Sequence, residues 1–269
     1  MNYKTTFKSG IKGEFLKHKE KPFNPQDPTL FQAAVAQGYD DAKRTFTNIG
    51  EVWKANPQFR EEFFKAIAEK IQEIFIKSPA KGFDDWHKET CDLFLNMLLQ
   101  KGYENATYGQ AQKVINMAFK YLYCLDGAET YGEVFDLCHM PLDGFTLEWF
   151  YRQCKYGNPE KKIVKGKMDK WSALAGYGDE RQDVYQTTDK KEHYTYFFYQ
   201  KQIREWLAKG QTPLQTEFEI WSEIQKHRAA EAFLFSLIGP ITKAEKDKIL
   251  KRSLKEKLDE IEKHLSNWR

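Results

Sequence analysis

The segment from Gly109 to Tyr123, GQAQKVINMAFKYLY, carries the residues best suited to chemistry. It is apolar nearly all round, as a helix in the middle of a core would be. Lys113, Asn116 and Lys120 interrupt it at spacings of three and four, which stacks them on one helical face. Unpaired buried charge is costly, so such a stripe has to meet water, a partner or a ligand. The alternative is that both lysines carry their heads to solvent along one edge. Asp143 follows thirty residues after Lys113, in HMPLDGFTLEWF, directly before an apolar helix. A carboxylate there caps the helix by accepting its first backbone N–H groups, and it is also a fixed ionised group able to face a cleft. A lysine amine whose pKa is lowered by desolvation attacks electrophilic carbon. A neighbouring Asp stabilises developing positive charge or relays a proton.

QKVINMAFKYLY followed by HMPLD resembles the catalytic segment of the archaeal-type 8-oxoguanine DNA glycosylases, a branch of the helix-hairpin-helix glycosylase superfamily. The likeness covers residues 109–153. It implies an all-α fold, a damaged base flipped from the duplex, and capture of the sugar C1′ as a Schiff base. Lys113 falls on the nucleophile of that family, Asp143 on its Asp, and Lys120 on a basic position two turns further on. On this reading Asn116, Lys120 and His139 bind substrate, and no cofactor is required. The chain departs from the family, and its basic N-terminal arm and long C-terminal helices fall outside the likeness. It shows no Gly-rich hairpin of the LPGxG kind, whose backbone amides would hold a DNA phosphate.

Phosphate contact is expected instead from residues 155–170, where six lysines, among them Lys161, Lys162 and Lys165, face Glu160 and Asp169. The same run reads equally as a solvated loop. Tyr185, Tyr194, Tyr196 and Tyr199 are either stacking platforms or core. A second function class stays open. It is a non-enzymatic protein that binds nucleic acid or a protein partner through a basic N-terminal arm and the C-terminal helix. The phosphate loop GxxxxGK[ST] and the patterns GxGxxG, HExxH and GxSxG are missing, as is the Arg-x4-6-His pattern of helical ribonucleases.

The elements that must position these groups are helices. Asp27-Pro28 starts one through about Phe46, and Asn56-Pro57 starts another with Phe59, Phe63, Ile67, Ile71, Ile74 and Phe75 on one stripe. A third runs from about Asp84 to Gln100, and Thr107 opens the fourth, through about Leu125. A short helix covers 144–155, and residues 156–188 read as loop. Asp189 is placed to cap the next helix. Thr212-Pro213 begins one of about 25 residues that Gly239-Pro240 breaks. Thr242 to Glu245 forms a capping box for the last helix. No strand alternation stands out.

The expected fold class is therefore all-α: a basic arm (1–23), a helical core (24–188) and a three-helix C-terminal part (189–269) packed on it. The 269 residues suffice for a large core, and the 41% apolar share argues against disorder. The arm carries six lysines against Glu14 and Glu20, which leaves the remaining chain near neutral. There is no membrane-length apolar run and no secretory h-region. Cys91, Cys124, Cys138 and Cys154 form no disulfide framework, which suits a cytoplasmic protein. With His139 they match no standard zinc module.

Overall fold

A computed structural model describes residues 3–77, 82–153, 170–176, 183–186 and 192–238. The fold is all-α, with a single two-stranded ribbon among the described residues. Its axis is α6 (Tyr108–Tyr123), in which every residue up to Leu122 is buried. The start of α6 is fixed by a reciprocal cap: the Thr107 hydroxyl accepts from the Gln110 backbone N–H, and the Gln110 side chain accepts from the Thr107 N–H.

Three further helices surround this axis. In α2 (Pro28–Ala42) the Asp27 carboxylate accepts from the Thr29 N–H, and Pro28 opens the first turn. It crosses α6 so closely that a Cβ on Gly38 would lie 2.5 Å from the Val114 carbonyl oxygen. In α4 (Pro57–Ile76) the stripe Phe59, Phe63, Ile67, Ile71 and Ile74 is buried as its spacing demands. In α5 (Phe83–Leu99) Phe94 and Leu98 face inward, and Gly102 turns the chain at a φ of 79° that favours glycine. A short α3 (Ile49–Ala55) and α7 (Gly132–Phe135) fill connections, and α8 (Gly144–Arg152) follows the cap at Asp143.

Residues 3–23 are not a free arm. They form α1 (Tyr3–Ser9) and a 3-10 turn (Gly13–Lys17), and Ile11, Phe15 and Phe23 are buried. Phe15 packs with its ring centroid 5.3 Å from that of Tyr121. The lysines between these residues hide an apolar anchor every four to eight positions. A second correction concerns 183–194: Val184–Gln186 (β1) pairs antiparallel with Glu192–Tyr194 (β2). The helix that follows, α9 (Tyr196–Trp206), is capped by Thr195, while Asp189 lies outside the described residues. α10 (Pro213–Ile238) starts at its Thr-Pro signal, and Tyr196, Ile203 and Leu214 join the same apolar core. The last helix, from Thr242, lies outside the described residues. Among those described, no helix is long and apolar enough to cross a membrane.

Candidate functional site

A cleft of about 580 Å³ opens where α6, α10, α1 and the start of α8 meet. Lys113 enters it from α6 and Asp143 from the helix start opposite, with Nζ and Oδ2 2.7 Å apart. Both side chains are largely shielded, 7% and 14% exposed, which makes this a pair at the wall of a hollow rather than a surface bridge. The other carboxylate oxygen of Asp143 accepts from the N–H groups of Phe145 (2.8 Å) and Thr146 (3.0 Å). One carboxylate thus caps α8 and neutralises an ammonium.

The residue before each partner sets this geometry. Gln112 donates its amide N–H to the Leu142 carbonyl (2.8 Å) and accepts from the Leu142 backbone N–H (3.1 Å). The two chains are therefore clasped one residue away from the ion pair. Burial opposes charge on Lys113, but Asp143, Glu217 and Asp41 outweigh it and hold the amine above the ordinary lysine value. Burial likewise opposes charge on Asp143, and Lys113 with the helix N–H groups holds its carboxyl below the ordinary value. The expected desolvated, lowered lysine is not what the resting site contains; it holds an ammonium carboxylate pair.

Lys120 also lines the cleft, but its charge is already matched. Its ammonium pairs with Glu217 of α10 and lies 4.1 Å from the Phe7 ring and 4.8 Å from the Phe218 ring. The lysine does not reach solvent. Asp41, at the end of α2, accepts from the Tyr121 hydroxyl at 2.8 Å, and burial raises its pKa. Trp171, Trp221 and Phe145 supply aromatic wall.

Asn116 and His139 do not line the cleft. Asn116 sits roughly 60° round the helix from Lys113 at 3.6 residues per turn, on the side of Gln112. There its amide N–H groups are donated to Gln112 and to the Tyr196 hydroxyl, and its oxygen meets His87 Nε2 at 3.0 Å. His139 is fully buried, with Nδ1 2.7 Å from the Tyr196 hydroxyl and Nε2 2.8 Å from Asp84. Burial pushes His139 down to about 4, so it is a neutral imidazole that donates from Nε2 to the carboxylate. Both residues belong to an interior polar network that locks α5, α6 and α9 together, apart from the cleft that Lys113 and Asp143 line. Lys161, Lys162 and Lys165 lie outside the described residues.

The chain matches no family model, no curated protein and no solved structure. The site must therefore be read from its own chemistry. The sequence reading missed Glu217 and Trp221; their spacing of four at the start of α10, which puts them on one helical face, is the signal that could have found them. Asp41, Arg44 and Trp171 carry no sequence signal that points to this cleft.

Proposed function

We propose that the protein is a DNA-glycosylase-like enzyme that attacks the sugar C1′ of a flipped-out nucleotide through Lys113, with Asp143 as its electrostatic and proton-relaying partner. The observation that carries the reading is the 2.7 Å contact between these two groups at the wall of an open, aromatic-lined cleft. The resemblance over residues 109–153 supports it independently.

The chemistry has to start from the ammonium. As the bond between C1′ and the base breaks, its electron pair leaves on the base, and a proton passes from Lys113 Nζ to a base nitrogen. Asp143 opposes the positive charge developing on the sugar. The amine, now neutral, forms a bond to C1′, and the resulting positive nitrogen gives a proton to Asp143. That proton goes to O4′ as the C1′–O4′ bond opens, which leaves a protonated Schiff base on Lys113.

Borohydride reduces that Schiff base to a stable adduct. Wild-type protein incubated with a panel of damaged-base and abasic duplexes is expected to yield a protein–DNA band after borohydride. Lys113→Gln is expected to yield none, and Asp143→Asn a slower one. Equal trapping by Lys113→Gln, or no adduct from wild type on any duplex, refutes the assignment.

A further inference from the structure

We infer that Arg44 forms a phosphate subsite at the cleft, taking the phosphodiester next to the nucleotide that enters it. The inference rests on the nucleic-acid reading above. It concerns affinity for the backbone rather than the covalent step. Among the described residues, four cationic side chains line the cleft: Arg44, Lys113, Lys120 and Arg228. Three of them are matched. Lys113 pairs with Asp143 and Lys120 with Glu217. Arg228 lies 2.6 Å from the Glu148 carboxylate and 4.3 Å over the Phe145 ring.

Arg44 differs. Its side chain is exposed, and among the described residues it forms no ion pair or hydrogen bond. Its neighbour Lys43 is tied to Asp40 at 3.1 Å. Asp41, three residues away, accepts from Tyr121 and lies in the field of Lys113 and Lys120.

The backbone under Arg44 is fixed. It belongs to the 3-10 turn Lys43–Thr45, in which the Thr45 hydroxyl donates to the Ala42 carbonyl at 2.8 Å. The Thr45 carbonyl in turn accepts from the Gln110 side chain at 2.6 Å, and Gln110 is the reciprocal partner of the Thr107 cap that starts α6. Ala42 and Phe46 are buried on either side. Among the described residues, an unmatched guanidinium thus stands on an anchored turn at a cleft whose other cations are neutralised. A guanidinium fork matches phosphate oxygens two at a time, which makes a phosphate the fitting ligand. On the nucleic-acid reading, such a contact also stands in for the LPGxG-type hairpin that the sequence lacks.

The experiment measures affinity by fluorescence anisotropy for a duplex bearing a stable abasic-site analogue, at several salt concentrations, with a nucleoside 5′-monophosphate as a second probe. Arg44→Gln is expected to weaken duplex binding by about tenfold and to lower the salt slope by about one. Arg44→Lys is expected to keep the slope while losing part of the affinity. If Arg44 serves only as a helix-end cation, Arg44→Gln lowers the thermal midpoint and leaves affinity and slope unchanged, which overturns the subsite. Monophosphate binding that Arg44→Gln abolishes, without duplex binding, keeps the phosphate subsite and assigns it to free nucleotides. Borohydride trapping by wild type together with an unaltered Arg44→Gln affinity removes the subsite alone. Absence of trapping removes the glycosylase reading while the phosphate measurement stands on its own.

Discussion

Replacing Asp143 separates its two structural duties. Asp143→Asn keeps an oxygen able to accept from Phe145 and Thr146, but it leaves the Lys113 ammonium without its nearest counter-charge. Breaking a buried pair from one side costs about 3–5 kcal/mol. The cost has a ceiling, because Lys113 can shed its proton; at pH 7 that costs about 5 kcal/mol from an ordinary value of 10.5. The expected loss is therefore about 3–5 kcal/mol for Asn, and about 1 kcal/mol more for Asp143→Ala, which also loses the cap.

The pH dependence follows from the same pair. In wild type the folded pKa of Lys113 is raised, so its contribution is complete below the unfolded value and fades as pH rises through the folded one. In Asp143→Asn the burial that already opposes charge on Lys113 loses its largest opponent, so the folded pKa falls. The gap between the two proteins is then expected to narrow as pH climbs from 7 towards 10. Urea unfolding at pH 7, 8.5 and 9.5 measures it. A gap under about 1 kcal/mol, the range of an exposed bridge, or a gap that ignores pH, refutes the buried-pair argument.

Two further outcomes test the frame around the site. His139 and His87 are buried neutral, with pKa values pushed down by burial, His139 to about 4 from 6.5. The unfolded chain therefore binds more protons below pH 6.5. Stability is expected to fall as pH drops, by about 3 kcal/mol at pH 4 from His139 alone. Asp84, held below its ordinary value by the His139 hydrogen bond, stays ionised in the folded protein and adds to the loss only near pH 4 and below, where the unfolded carboxyl takes up protons. Urea midpoints that agree at pH 7 and pH 5 contradict this. Gly38→Ala is expected to destabilise by about 1–3 kcal/mol, because the 2.5 Å approach to the Val114 carbonyl exceeds what the better helix propensity of alanine returns. An unchanged or raised thermal midpoint would show that α2 and α6 can part at little cost.

The helices were legible because their signals are local. Pro28, Pro57 and Pro213 mark starts, and an apolar stripe marks the buried face of α4. The meeting of Lys113 and Asp143 was anticipated from residue type and from the resemblance. Periodicity could not tell which side of a fully buried helix each polar group serves. Lys113 and Asn116 share a stripe within the tolerance of spacing, yet roughly 60° of rotation sends one to the cleft and the other to a buried network. His139 lies four residues before Asp143 in the chain, yet its partners are Asp84 and Tyr196, 55 and 57 residues away. Charge misled at the N-terminus, where six lysines outvote the few apolar anchors that bury the segment.

The double hydrogen bond between Gln112 and Leu142 has a mechanical corollary. Since the Gln112 side chain pins the Leu142 backbone beside the ion pair, sliding one helix past the other is opposed where amine and acid meet. On the proposed reading, rotation of the lysine chain is what parts them, and an incoming molecule would meet a frame of constant width instead of a closing jaw.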